Sequence, residues 1–335
     1  RSAPVGPARH RPALSRTSAP AAPARRRTRV HHGRVRLSPV VAEPATIVDA
    51  VAASVGKPLS LRSDLDLDVY RLHRTDAEPD LVARVFDARV PRATVDAAVH
   101  VLQRLSGTRF PAEQCLPDAP VLPLGEGRHV LVTVYVEPAP APRPGLALAW
   151  CAALLGRLAN RPGSDLPSGG GWHRLGVTPS AEIDEALRLG GQVGRTVTEL
   201  TDALADADDG TGLPEALIHP DLTPPNVVPQ GEGAPVVIDW IGVGRGPRAW
   251  PLAFLLFAAG PRGARQGLDR YARSISLTAE EQHRLPALMI ARPLALDLWS
   301  VAYGRMTPKQ AITRARAHRT RVEAVVGALR DSADS

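Results

Sequence analysis

Lysine is nearly missing from this chain. Lys57 and Lys309 are the only two among 41 basic residues, so arginine carries the positive charge, a bias that reads as base composition rather than function. Two cysteines, Cys115 and Cys151, exclude the disulfide framework of a small secreted domain and give no metal-ligand spacing, so a reducing cytoplasm is the expectation. The longest apolar runs, such as Leu146–Leu155, fall well short of the roughly 20 residues that span a bilayer. A soluble protein with no membrane partner is expected. Glycine is absent between Gly56 and Gly107, in a chain that has 28 elsewhere. That stretch must make its turns without glycine's backbone freedom.

What is present is unevenly placed. Residues 1–40 hold ten Arg and no acid, so the isoelectric point of 10.2 belongs to a tail. Residues 41–260 hold 18 basic and 27 acidic side chains, and residues 261–335 hold 13 and seven. The tail is built of Pro, Ala, Ser and Arg and buries too little to repay its ordering entropy, so disorder is predicted for 1–40. A nucleic-acid partner is expected only through that tail, if at all. The His31–His32 pair in it is not read as a metal site.

No repeat period appears, and 335 residues suffice for one large domain or two lobes. From about Val41 to Val136 the pattern is strand-rich, with "LDVYRLHR", "DLVARVF" and "HVLVTVYV" as strands and "VPRATVDAAVHVLQRL" as a helix. The proline-stiffened "EPAPAPRPG" (Glu137–Gly145) connects this part to a second one. There, "LALAWCAALLGRLA", a long stretch capped by Ser180 and interrupted at Gly190–Gly191, and nearly everything from Trp250 to Arg330 read as helices. The expectation is an α+β, two-lobe plan, with a β-rich lobe over 41–137 and a larger, mainly helical lobe over 138–335.

The segment "LIHPDLTPPNVVPQGEGAPVVIDW" (Leu217–Trp240) sets a His, two Asp and an Asn among apolar runs. Pro224 and Pro225 exclude helix interior, so His219 to Asn226 is a loop. "NVVP" and "PVVID" then fold as an antiparallel hairpin around "QGEGA". In a register that sets Pro229 against Val236, Asn226 faces Asp239. Directly opposed side chains lie roughly 4.5–5.5 Å apart, close enough to share one hard cation such as Mg²⁺. Phosphoryl transfer needs such ligands, and also a carboxylate that accepts the proton of the attacking hydroxyl. Asp221 is the candidate base, Asn226 and Asp239 the metal ligands, and His219 a brace for the loop. The plainer reading is a capped turn and a strand end.

This segment, continued as "IGVGRGPRAWPLAFLLF", resembles the aminoglycoside phosphotransferase-like (phosphotransferase enzyme) family, related to choline and protein kinases. The resemblance extends over roughly residues 45–330. It implies a protein-kinase-like two-lobe fold with ATP or GTP and Mg²⁺ in the cleft, and a small-molecule hydroxyl as acceptor. It places the phosphate-pairing cation at Arg84 in "LVARVF", where the family has lysine, and adenine at the backbone of Tyr135–Glu137. It also brings Asp297, Trp299 and Arg305 near the acceptor, although such residues are more often part of a core than of a pocket. The sequence departs from the pattern in its glycine-free loop near Ser63–Leu67. It also has Pro251 where an Asp is usual and no clear acidic helix partner for Arg84 beyond Asp96. These departures keep a second expectation open, a nucleotide-binding pseudokinase with a sensing or scaffolding role.

Overall fold

The computed structural model describes residues 43–331 apart from 67, 76, 89, 119, 164–165, 167–180 and 232–233. The arginine-rich tail over 1–40, His31–His32 and Ser180 lie outside the described residues.

The first element departs from the strand-rich reading: Pro44–Val55 is a helix, α1. Pro44 sits in its first turn, where a missing N–H costs nothing. Gly56 ends it at φ 65°, its N–H donating to the Ala52 carbonyl. Ile47 and Val51 are one turn apart and fully buried against Leu72, Leu81, Val130 and Val132 of the sheet. Each such side chain contributes roughly 1.5–3 kcal/mol of burial. Tertiary packing therefore decides the state of a segment whose local composition is ambiguous.

The sheet comprises β1 (Ser60–Asp66), β2 (Val69–His73), β3 (Leu81–Phe86), β4 (Val121–Pro123) and β5 (His129–Val134). Its order is β1-β2-β3-β5-β4, antiparallel throughout. On β3, Leu81, Ala83 and Val85 share the core beneath α1. The alternate positions Val82, Arg84 and Phe86 therefore share the other face. Helix α2 (Arg92–Ser106) buries Val95, Val99 and Leu102 in one core with Phe86 and Leu131.

The larger part is mainly helical. Helices α3 (Pro144–Ala159), α6 (Ala249–Ala272), α7 (Ala279–Ala302) and α8 (Pro308–Asp331) contribute to its main core. Helices α4 (Ala181–Leu189) and α5 (Gly191–Ala205) meet at Gly190, the break predicted from the glycine pair. Gly260 (φ 68°) and Pro261 kink α6, and Arg321 of α8 donates to the freed Phe257 and Ala258 carbonyls at 2.7 Å each. Helix α7 is long and apolar enough to cross a membrane by length and composition, yet 61% of its apolar window is buried within the protein. The fold is α+β, as the sequence pattern predicts.

Candidate active site

Two short strand pairs carry the Leu217–Trp240 segment. Strand β6 (Glu215–Ile218) pairs with β9 (Gly244–Pro247), and β7 (Val227–Val228) with β8 (Val236–Val237). Pro224–Asn226 form one 3-10 turn between β6 and β7, so the prolines do exclude an α-helix here.

His219 follows β6 and is fully buried. Its Nδ1 accepts the Asp221 amide N–H and its Nε2 donates to the Ile238 carbonyl, both at 3.1 Å. The ring thus ties the Asp221 loop to the strand that delivers Asp239. Trp240 packs edge-on against it at 4.8 Å between centroids. Burial pushes the imidazole pKa down to about 4, so His219 is a neutral strut.

Asp221 is partly exposed. Burial raises its pKa above the usual carboxylate range, and the positive charge of Arg292 opposes the rise. Arg292 Nη2 lies 4.0 Å from Asp221 Oδ2, and its side chain is only 6% exposed. Sequence reasoning missed this residue. The available signal was one arginine inside the apolar run "LMIARPLAL" of α7, where a charge needs a partner.

The predicted hairpin register is wrong by one residue. Val227 pairs with Val237 and Val228 with Val236, so Asn226 stands opposite Ile238, whose N–H donates to the Asn226 carbonyl (3.0 Å). Asp239 is one residue past that pair. It adopts φ 66°, a left-handed conformation uncommon outside glycine, although less so for Asp and Asn. Asn226 and Asp239 nonetheless line one cavity, of about 420 Å³, together with Arg84 and Glu113. The Asn226 amide nitrogen donates to the Asp221 carbonyl (2.7 Å), which ties the amide to the Asp221 loop and leaves Oδ1 as its acceptor branch.

Arg84 does not lie on a solvated strand face. Its side chain is 12% exposed, with Nε 3.7 Å from Asp239 Oδ1 and Nη1 4.0 Å from Glu113 Oε1. Nη1 is buried and makes no hydrogen bond to any described residue. Tyr135 lines the same cavity, its ring beneath the Arg71 guanidinium at 3.7 Å. Glu137 is turned elsewhere. Its carboxylate takes Arg71 (2.8 Å) and its carbonyl takes the Gln230 amide (2.8 Å), while Val136 and Pro138 line the cavity on either side.

The model of the phosphotransferase enzyme family matches residues 59–285. The chain belongs to that family. Comparison with curated proteins finds no match. Among solved structures, a microcompartment-associated aminopropanol kinase is similar at 18% identity and TM-score 0.56, covering 81% of this chain and 90% of its own. Amicoumacin kinase, solved in complex with AMP-PNP and Ca²⁺, is similar at 13% identity and TM-score 0.55, covering 79% and 87%. Choline kinase LicA from Streptococcus pneumoniae is similar at 14% identity and TM-score 0.54, covering 84% and 99%. At these identities the likeness establishes the kinase-like fold.

As a phosphotransferase-family member the chain has the expected α+β fold, with local departures around the cavity. Leu65, Asp66 and Val69 of the glycine-free first hairpin line the cavity, and Asp68 makes the turn at φ 59° in glycine's place. Asp96, the expected helix partner of Arg84, instead pairs with Arg92 on the outside of α2 (2.8 Å). Asp297 is buried, hydrogen-bonded to His318 (2.7 Å) and ion-paired with Arg314 (2.9 Å) of α8, and Trp299 stacks beneath Arg305. These three residues thus have structural partners.

Two features fit the groups the family implies. A guanidinium that lines the cavity and still has an N–H outside any hydrogen bond suits an anionic oxygen such as a phosphate. One carboxylate and one amide oxygen on the same cavity suit Mg²⁺, which binds few protein oxygens and keeps waters and phosphates as its other ligands. Among the described residues no group of three or more His, Cys, Asp or Glu offers an all-protein metal cage.

Proposed function

We propose that this protein is an ATP- and Mg²⁺-dependent phosphotransferase that moves a phosphoryl group to a hydroxyl of a small molecule. The observation that carries the reading is the convergence of Arg84, Asn226 and Asp239 on one cavity, with Asp221 tied to Asn226 at its edge. Asp239 and the Asn226 Oδ1 hold the cation, which when bound neutralises charge on the transferring phosphates. Arg84 takes phosphate oxygens with its guanidinium. Tyr135 lines the cavity on the side assigned to adenine, and a similar fold solved with AMP-PNP supports a nucleotide donor. GTP remains an alternative donor for the same residues.

Asp221 accepts the proton of the attacking hydroxyl. Burial raises its pKa, which strengthens it as a base, and the positive charge of Arg292 opposes the rise and so favours the ionised, proton-accepting form. His219 holds the loop so that the Asp221 carboxylate stays near the transfer line. Two free thiols and an ATP requirement suit a reducing, ATP-supplied cytoplasm.

The test divides the two carboxylates. Asp221→Asn keeps the loop's shape but loses the proton acceptor, so Mg-ATP still binds while turnover falls by roughly 10²–10⁴. Asp239→Asn removes a cation-holding charge, so metal-dependent nucleotide binding fails as well. Asn226→Ala lies between them. Calorimetric titration of Mg-ATP, beside phosphate transfer to a panel of hydroxylated metabolites, reads the pattern. Equal loss of binding in both Asp variants sinks the division of roles. Wild-type binding without any turnover would instead favour the pseudokinase.

A further inference from the structure

The acidic partner expected on α2 is not there. The helix carries a single acid, Asp96, engaged by Arg92 at the surface, and its inward face is apolar. Arg84 meets Glu113 instead, a residue of the segment between α2 and β4.

Glu113 is 4% exposed, and both of its oxygens are committed. Oε2 accepts the Thr133 hydroxyl of β5 at 3.0 Å, and Oε1 accepts the Asp239 backbone N–H at 2.8 Å while standing 4.0 Å from Arg84 Nη1. The backbone beneath is pinned as well. Glu113 N–H donates to the Val237 carbonyl (2.9 Å), and Val237 N–H to the Pro111 carbonyl (2.7 Å), a parallel bridge onto β8. One carboxylate therefore touches the sheet, the phosphate-side cation and the turn that presents Asp239.

We infer that Glu113 is a positioning residue that replaces the helix-borne acid and sets Arg84 and Asp239 in their working places together. The inference rests on the phosphotransferase reading above. Its physical basis is the left-handed turn at Asp239. A non-glycine residue holds such a conformation only when its surroundings over-determine it. The charge-assisted bond from Asp239 N–H to Glu113 supplies that restraint. A loop glutamate bonded to the turn itself keeps Arg84 and Asp239 in register whatever α2 does. A merely structural acid would need no contact with both.

The ligand-free full chain gives the first test. Amide exchange followed by NMR should show the Asp239 N–H protected in wild type. In Glu113→Ala it should exchange at least about tenfold faster, while the Val237 N–H stays protected by Pro111. In Glu113→Gln, which is isosteric and uncharged, the Mg²⁺ concentration needed for half-maximal ADP binding should rise about 10–100-fold, as for other residues that orient metal ligands. Metal-free ADP affinity, which reads the placement of Arg84, should fall in the same variant by a smaller factor, about threefold. The charge on Arg84 and Asp239 is unchanged there. Thr133→Val, which frees Oε2, should shift the Mg²⁺ requirement in the same direction and serves if Glu113→Ala does not fold. An unchanged Mg²⁺ requirement in Glu113→Gln and Thr133→Val overturns the inference. If wild type shows no Mg²⁺-dependent ADP binding, the phosphotransferase reading itself fails, and the inference with it.

Discussion

Acid should destabilise this protein through His219, and the size of the effect follows from its geometry. The ring is fully buried, with Nδ1 facing the Asp221 N–H and Nε2 donating to the Ile238 carbonyl. A proton on Nδ1 would set two donors against each other. Burial is the larger cause that brings the pKa down to about 4, with the Asp239 carboxylate opposing. The unfolded chain titrates His near 6.5. Between these values the unfolded state binds a proton that the folded state refuses, so stability is complete above about pH 6.5 and falls as the pH drops towards 4. A tenfold change in proton affinity corresponds to about 1.4 kcal/mol, so the whole window is worth about 3 kcal/mol. That is a large share of the 5–15 kcal/mol typical of a folded domain.

Asp221 and Glu113 act in the opposite sense. Their raised pKa values let the folded state take up protons first as the pH falls, which adds stability there. Wild-type stability against pH is therefore a sum, and a non-titrating variant isolates the histidine. In His219→Gln, urea unfolding followed by tryptophan fluorescence should give a stability deficit at pH 7.5. At pH 4.5 that deficit should shrink by about 2–3 kcal/mol, because wild type alone loses the histidine contribution. A deficit that is equal at the two pH values would falsify the neutral-strut account.

Arg84→Ala should weaken Mg-nucleotide binding by about 10–100-fold, the loss of one or two charge-assisted hydrogen bonds, while Arg84→Lys loses less; equal affinity in wild type and Arg84→Ala, by calorimetry, excludes the phosphate role. Ile47→Ala should cost about 2–5 kcal/mol, because α1 holds the sheet through Ile47 and Val51, and a urea midpoint within error of wild type would mean that α1 is detached. Burial pushes both thiols, Cys115 and Cys151, up to about 12. Iodoacetamide at pH 8 should therefore label the native chain far more slowly than the urea-unfolded one, and equal rates would contradict the raised thiol pKa values.

Much of the candidate site was legible because its residues are local in sequence. Pro224 and Pro225 force the loop that presents Asp221 and Asn226, and the valine runs on either side announce the paired strands that lead to Asp239. Helices α2, α3 and α6–α8 were legible from apolar periodicity for the same reason. Helix α1 was not, because Ile47, Val48, Val51 and Val55 suit a strand equally and only the sheet beneath them decides. Glu113 and Arg292 were hidden for another reason. Each is meaningful only through partners far along the chain, Asp239 for one and Asp221 for the other.

The hairpin register shows how a wrong premise still delivered two residues that line one cavity. Direct opposition of Asn226 and Asp239 would have required the 226–239 pairing, and a slip of one residue turns a side chain to the other face of a regular strand. Here the strand ends at Val237, and Asp239 reaches the cavity through a left-handed turn rather than through the pleat. The turn undoes the slip. Strict alternation would have condemned the pairing. The residue that makes the exception tolerable is Glu113, whose carboxylate holds the Asp239 N–H from outside the motif. The Asp239 segment and the segment before β4 therefore form one unit, and substitutions in Pro111–Glu113 should alter cation binding although nothing in their local sequence resembles a site.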